Sequence, residues 1–200
     1  MGDVSKHRDA SGWPWATLIA WLMFCSGCSL PYPVNDTRHA FNVIEARLTS
    51  TGQTCLVDAG LDYRFSQPVI EAMEQGVPLT LVIRFSLVEP RDYWPDQTLI
   101  AVSRRLHVSY HPLTRSYRIV YPDTGVMEHF ATLTTLIEYL GALRDWQIPA
   151  VCTLQTGHHY TARLGVTLDI ESLPLPLRPL AYLSPDWHLQ SPLYPWLVAG

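Results

Sequence analysis

The stretch that decides the fold is Thr54-Cys55-Leu56-Val57-Asp58-Ala59-Gly60-Leu61-Asp62-Tyr63-Arg64-Phe65. Apolar residues stand at every second position from Cys55 to Phe65, and three of the positions between them are charged. This period of two is typical of a β-strand with one face on a core and the other in water. Residues 42–49 form the expected partner strand, and Gly52 lies in the turn between the two, which predicts a β-hairpin.

Alternation continues along the chain and is interrupted twice by helical signals. Ser66 suits a helix N-cap and Gly76 suits a helix end, which predicts a helix over residues 66–75. A stripe of leucine and isoleucine at helical spacing predicts a second helix over residues 132–145. The other strands are predicted at residues 79–87, 100–110, 116–121, 126–130 and 160–170.

Short turns join most of these strands, so the sheet is expected to be largely antiparallel. The pattern predicts an α+β fold, a largely antiparallel β-meander or sandwich with two helices and a proline-rich C-terminal tail. We expect a linker over residues 29–41, an α+β domain over 42–173 and a tail over 174–200. The prolines of the tail exclude a regular sheet interior. Its aromatic residues, among them Trp187 and Trp196, predict that the tail packs on the domain.

The amino-terminal residues 1–28 have the layout of an export signal. Lys6 and Arg8 precede an apolar run over residues 15–24, and small residues follow it. The end Ser26-Gly27-Cys28 resembles a bacterial lipobox, in which Cys28 would be lipidated, although Cys25 stands where a branched apolar residue is expected. A spanning helix needs about 20 apolar residues, and this run is shorter. The segment favours a lipoprotein on the periplasmic face of the cell envelope, with soluble secretion and a retained anchor as alternatives.

Charge and cysteine content limit the function further. The net charge is −4, and a basic patch large enough for nucleic acid is not expected in such a chain. Every basic residue after Cys28 is arginine. Cys55 and Cys152 could form a disulfide in an oxidising compartment, and a buried free thiol is the alternative reading of Cys55.

Arginine and aromatic residues mark the candidate binding surface. Arg104, Arg105, Arg115 and Arg118 place four guanidinium groups on one predicted hairpin. Such clusters bind carboxylates or phosphates through bidentate contacts, and pairing with local acidic residues is the alternative. Arg104 is on the apolar side of its strand and would need a partner. The loop residues Tyr93 and Trp94 would add the aromatic area that interfaces favour, or else hold the tail on the core.

No known catalytic or cofactor motif is present. The sequence lacks a glycine-rich phosphate loop, a Gly-x-Ser-x-Gly elbow and, after residue 28, a Cys-x-x-Cys pair. His158 and His159 are adjacent, so on a strand they point to opposite faces and cannot easily share a metal. A base–acid pair of these histidines with Asp169 or Glu171 is the remaining catalytic hypothesis. We expect no catalytic residue, no metal site and no cofactor.

Several short motifs, taken in order, are similar to those of a known family. They are Gly76-Val77-Pro78-Leu79-Thr80, Pro90-Arg91-Asp92-Tyr93-Trp94, Ser109-Tyr110-His111-Pro112-Leu113-Thr114-Arg115-Ser116-Tyr117-Arg118, Leu143-Arg144-Asp145-Trp146, Leu173-Pro174 and Asp186-Trp187-His188-Leu189. Together they resemble the bacterial family called domain of unknown function 4390. Some of its members are labelled proline-rich signal peptide proteins. The resemblance covers most of residues 42–190.

The resemblance implies an exported or membrane-associated protein without an assigned activity, and it supplies no catalytic residues. The genes of the family lie near a sensor kinase, which implies a membrane sensor kinase as one type of partner. We therefore expect an uncharacterised, membrane-tethered envelope protein that acts as a binding or accessory module for a protein partner. The alternatives are a periplasmic binder of a small anionic or lipid ligand and, more distantly, a hydrolase.

Overall fold

The computed structural model describes residues 40–91 and 93–200. The predicted export segment and its Cys28 lie outside the described residues, as do most of the predicted linker and Asp92. The strands are β1 (Phe41–Thr51), β2 (Thr54–Tyr63), β3 (Leu79–Glu89), β4 (Gln97–His111), β5 (Ser116–Val120), β6 (Met127–Phe130), β7 (Ala142–Gln147), β8 (His159–Leu168) and β9 (Tyr194–Ala199). The α-helices are α1 (Gln67–Glu74), α2 (Leu133–Gly141) and α3 (Arg178–Leu183). None of the helices in this part of the chain is long and apolar enough to cross a bilayer.

The strands form two antiparallel sheets that share one core. The smaller sheet has the order β1-β2-β7, and the larger has the order β6-β5-β4-β3-β8-β9. The ring centroids of Phe85 on β3 and Trp146 on β7 are 6.4 Å apart, so the two sheets face each other across the core. The predicted α+β fold with largely antiparallel sheets is confirmed, and its arrangement is a sandwich. The predicted hairpin is also present, as β1 and β2 with Gly52 at positive φ between them.

Strand β3 is the centre of the larger sheet. It pairs with β4 on one side and with β8 on the other. Every second residue from Leu79 to Leu87 is almost completely buried in the common core. The residues between them point to the opposite side of the sheet, because side chains alternate along a strand.

The predicted second helix is too long at its carboxyl end. Helix α2 ends at Gly141, and the next six residues form β7 against β2. Arg144 and Asp145 form a bulge opposite Asp58, with Asp145 at a φ of 47°. The bulge puts Leu143 and Trp146 on the same buried side of β7 although they are three residues apart. The sequence pattern predicts a helix here because Leu143 stands three residues after Leu140 and so continues the apolar stripe of α2.

The proline-rich tail belongs to the sheet. Strand β9 pairs with β8 from His159↔Ala199 to Leu164↔Tyr194, and the tail also forms α3, a third helix that the sequence pattern did not predict. Pro195 is compatible with this position because β9 is an edge strand. Residues 174–200 are therefore part of the same packed unit as residues 42–173.

A disulfide joins the smaller sheet to the segment that follows it. Cys55 on β2 is bonded to Cys152, with 5.7 Å between their Cα atoms. Both residues are buried. The backbone N–H of Cys152 donates to the carbonyl of Gln53, and that of Ile148 donates to the carbonyl of Cys55. The covalent bond and the two hydrogen bonds hold the chain between β7 and β8 against the core.

Reduction of this disulfide is expected to destabilise the domain. The bond closes a sequence separation of 97 residues, and a loop of this length contributes about 2–5 kcal/mol, chiefly by restricting the unfolded chain. Denaturant unfolding with and without reductant measures the loss. The double variant Cys55→Ala, Cys152→Ala is the control and should no longer respond to reductant. An unchanged midpoint for the reduced wild-type protein would contradict the assignment.

One tyrosine is buried without a hydrogen-bond partner. Tyr63 packs against Phe41 and Phe65, with ring centroids 5.0 and 6.1 Å away. Its hydroxyl has no partner among the described residues. Burial, and to a lesser extent the neighbouring Tyr121, raises the pKa of Tyr63 far above its ordinary value. Its ionisation in the folded state is therefore strongly disfavoured.

Tyr63→Phe is expected to stabilise the domain by about 1 kcal/mol, because it removes an unpaired buried hydroxyl. The benefit should grow above about pH 10, where the tyrosine of the unfolded wild-type chain loses its proton and the folded one does not. The control is Tyr117→Phe, since the Tyr117 hydroxyl donates to Glu74 at 3.3 Å. Denaturant midpoints should move in opposite directions for the two variants, and equal losses would contradict this reading of Tyr63.

Candidate functional site

The outward side of the six-stranded sheet carries an unbalanced set of charges. The register places four arginines there, and we call them the arginine face: Arg84, Arg105, Arg118 and Arg163. The histidines His107 and His129 are on the same side. No outward position within these six described strands is Asp or Glu. The chain as a whole has a net charge of −4, so the positive charge of this side is a local concentration.

Arg84 is at the centre of the arginine face. Its direct cross-strand neighbours are small, Ser103 on β4 and Gly165 on β8. Arg105 and Arg163 are its diagonal neighbours, two residues along from those partners. Diagonal neighbours in an antiparallel sheet are about 7–8 Å apart, within reach of long side chains. Arg105 is level with Val82 and Arg163 with Ser86, so the three arginines form a diagonal row with Arg84 in the middle.

Most of this charge has no acidic partner among the residues that the structure describes. Arg163 forms an ion pair with Asp96 at 3.3 Å, and both side chains are partly exposed. Neither Arg84 nor Arg105 forms an ion pair with any residue in the part of the chain that the structure describes. Both are exposed to solvent. Their charges are available to an external anion, since local carboxylates do not neutralise them.

Arg118 extends the arginine face toward β6. It lies between Ser109 on β4 and His129 on β6. Its Nε atom is buried and has no hydrogen-bond partner among the described residues, and the same is true of the Nε2 atom of His111. His107 is held by Thr80, with 2.9 Å between the ring Nδ1 and the hydroxyl oxygen. This end of the face therefore contains two buried polar atoms that no described residue satisfies.

The structure places the four arginines of the predicted binding surface in different parts of the domain. Arg104 is on the core side of β4, and its guanidinium carbon is 4.5 Å from the ring centroid of Tyr121. This is a cation–π contact, so the predicted partner of Arg104 is an aromatic ring. Arg115 lies in the β4–β5 turn at a φ of 49°. Only Arg105 and Arg118 of the four predicted arginines are on the arginine face.

The ring that Arg104 covers takes part in a small polar cluster. The Tyr121 hydroxyl donates to the Tyr139 hydroxyl at 3.3 Å. Burial and then this hydrogen bond raise the pKa of Tyr121, while the charge of Arg104 lowers it. The contact therefore has a structural role at the margin of the core and separates Arg104 from the arginines that face solvent.

The loop residues Tyr93 and Trp94 are away from the centre of the arginine face. Their exposed fractions are 94% and 76%, so they do not hold the tail on the core. The loop joins β3 to β4, at the end of the sheet where Asp96 pairs with Arg163. They border the arginine face at that end and do not lie beside Arg84.

The hypothetical base–acid pair of His158 or His159 with Asp169 or Glu171 is not formed. His158 and His159 precede β8 or begin it, whereas Asp169 follows its last residue, and a strand of this length spans about 30 Å. His158 instead contacts Glu89, with 2.9 Å between Nδ1 and Oε1. No group of three or more potential ligands among His, Cys, Asp and Glu in residues 40–91 and 93–200 is placed to hold a metal ion.

A polar cleft of about 510 Å³ lies on the smaller sheet. It forms over the bulges of β1 and β7, where the Asp145 N–H donates to Oδ1 of Asp58 at 2.8 Å. Its charged lining consists of Arg47, Arg144, Glu45, Asp58 and Asp145. The carboxylates outnumber the arginines, so the cleft lacks the excess positive charge of the arginine face.

Sequence reasoning did not find Arg84 and Arg163. Each lies at a charged position within an alternating apolar strand, and that was the available signal. Their position on the same side of the sheet as Arg105 depends on the pairing of β3 with β4 and β8, which joins residues far apart in the chain.

The comparisons with known proteins agree with the motifs quoted above. The model of the family described as "Domain of unknown function (DUF4390)" matches residues 38–197. No curated protein and no solved structure matches the chain. The family match includes β1 to β8, all of β9 except its last two residues, and the whole arginine face. Since it covers far more than half of the sequence, the chain belongs to the DUF4390 family.

Proposed function

We propose that this protein is an exported, membrane-tethered envelope protein that binds an acidic protein partner through the arginine face and has no catalytic role. The observation that carries the proposal is the diagonal row of Arg84, Arg105 and Arg163 on a side of the sheet whose described strands carry no outward Asp or Glu. A rigid sheet holds the three strands in register, so little order has to be created on binding.

The chemistry of arginine explains the choice of an acidic partner. A guanidinium group binds a carboxylate through two parallel hydrogen bonds, and such charged pairs are stronger than neutral ones. Ser103 and Ser86 offer hydroxyl groups beside the arginines. Leu193 lies against Gly165, where an added Cβ atom would be 2.9 Å from its Cδ2 atom. The surface thus combines arginine with an apolar neighbour, as interface centres do.

The tether and the compartment are inferred from the sequence of residues 1–28. A lipidated Cys28 would hold the domain on the periplasmic face of the envelope, and Cys55 and Cys152 would form their disulfide in such an oxidising compartment. A membrane sensor kinase is one type of partner consistent with this location. The catalytic alternative has less support, because His158 contacts Glu89 and is remote from Asp169.

A periplasmic binder of a small anionic or lipid ligand is the second candidate. The cleft on the smaller sheet favours it, since Arg47 and Arg144 could bind an anion there. Three carboxylates in the same lining would repel an anion. The polar walls would make contact with a lipid chain unfavourable. We therefore place this function below partner binding.

Charge reversal on the arginine face tests the proposal. Arg84→Glu with Arg105→Glu should weaken partner capture on the order of tenfold or more, because two attractive charge pairs become repulsive. Capture is measured by cross-linking in native membranes followed by affinity purification and mass spectrometry. Binding by the wild-type protein should also fall as salt is raised.

The matched control is Arg47→Glu, the same substitution on an exposed strand of the smaller sheet. It should leave capture unchanged, and both proteins should keep the wild-type unfolding midpoint. Cys28→Ser should release the protein from the membrane without altering the arginine face. Loss of capture with Arg47→Glu but not with Arg84→Glu and Arg105→Glu would reject the arginine face and favour the cleft.

A further inference from the structure

The tail contains an apolar segment that the domain leaves uncovered. We propose that residues 174–183, here the leucine segment, lie on the lipid surface of the membrane to which the amino-terminal segment tethers the domain. This goes beyond partner binding and rests on the tether in the proposed function. Four of its large hydrophobic side chains are exposed: Leu175 by 72%, Leu180 by 57%, Tyr182 by 48% and Leu183 by 85%.

The exposure does not come from a loosely attached helix. Ala181 of α3 is fully buried, as is Leu173 just before the segment. The Nε atom of Arg178 donates to the Leu173 carbonyl at 2.8 Å. The Ala181 N–H donates to the Leu177 carbonyl at 2.9 Å. The helix is fixed on one side, and its other side consistently presents leucine to the outside.

The composition of the leucine segment fits a lipid interface. Arg178 is its one charged residue, and the others are leucine, proline, alanine and tyrosine. Leucine enters the boundary between headgroups and acyl chains, and tyrosine is favoured at the same depth. The long stem of arginine allows its charge to remain among the headgroups. Soluble domains rarely expose a continuous apolar surface without a partner for it.

The leucine segment also lies at the end of the domain where the first described strand begins. Phe41 begins β1, and its ring centroid is 5.4 Å from that of Phe65. Ser66 follows, and its hydroxyl donates to the Asp186 carbonyl at 2.6 Å. Asp186 is three residues beyond the end of α3. These contacts connect the start of the first strand, through Phe65 and Ser66, to the chain just after the leucine segment.

The chain between Cys28 and the domain limits the distance to the membrane. Residues 29–39 number eleven, and at full extension they span at most roughly 35–40 Å. A domain held this closely has its tethered end near the bilayer, so the local concentration of lipid at the leucine segment is high. The bilayer is therefore the occupant that the position and the composition of the segment both favour.

The test measures contact between position 183 and lipid in the full chain. A noncanonical amino acid with an environment-sensitive fluorophore replaces Leu183, and the tethered protein is placed in phosphatidylcholine–phosphatidylglycerol vesicles with brominated acyl chains. The control carries the fluorophore at Tyr93, which is 94% exposed and follows the far end of β3. We expect several-fold stronger quenching at position 183 than at position 93.

Flotation with the vesicles is scored first, so that the two proposals can fail separately. A protein that floats but shows equal, weak quenching at both positions overturns the lipid contact and leaves the tether intact. A protein that does not float overturns the tether and the lipid contact together. The lipid contact is also overturned if the fluorophore at position 183 reports an environment shielded from water but is not quenched by bromine. That result would show that a protein surface, and not lipid, covers the leucine segment.

A second variant separates lipid contact from a change of fold. Leu180→Asp with Leu183→Asp, probed by the fluorophore at position 175, should lose quenching because charge opposes entry into the interface. Both substituted side chains are largely exposed, so the unfolding midpoint should not change. Quenching that persists in this folded variant would overturn the proposal.

Discussion

The register of β3 is the constraint on which the rest of the structure depends. Its alternate residues from Leu79 to Leu87 are buried between the two sheets, and both of its neighbours are antiparallel. A shift by one residue would turn this apolar set toward water, so the register is strongly determined. The same register directs Arg84 outward and sets it diagonally between Arg105 and Arg163. Burial of the core and display of the arginine face are two results of one pairing.

The fold could be predicted from the sequence wherever the alternation was regular. The β1–β2 hairpin and β3 were found because one side of each strand is apolar. The prediction was wrong at β7, because Leu143 stands three residues after Leu140 and continues the apolar spacing of α2 into the strand. The sequence pattern does not predict that the tail contributes a strand. Its prolines exclude only a sheet interior, and β9 is an edge strand.

The candidate site could be predicted only in part. Arg105 and Arg118 were identified, while Arg104 was grouped with them although neighbouring residues on a strand face opposite sides. The contribution of Arg84 and Arg163 depends on long-range pairing of β3, β4 and β8, which no local pattern contains. The net charge of the chain, −4, gives no indication of the arginine face, because acidic residues elsewhere outnumber the basic ones. A local excess of positive charge needs the register before it can be recognised.

The most direct test of the arginine face is photocross-linking in living cells from Ser103, the exposed cross-strand neighbour of Arg84. A photoreactive residue at Thr49, exposed on the smaller sheet, is the comparison. If the arginine face binds the partner, position 103 should give one abundant cross-linked protein, attached through an acidic segment of that protein. Position 49 should give none. Cross-links of equal yield from both positions, or from position 49 alone, would contradict it.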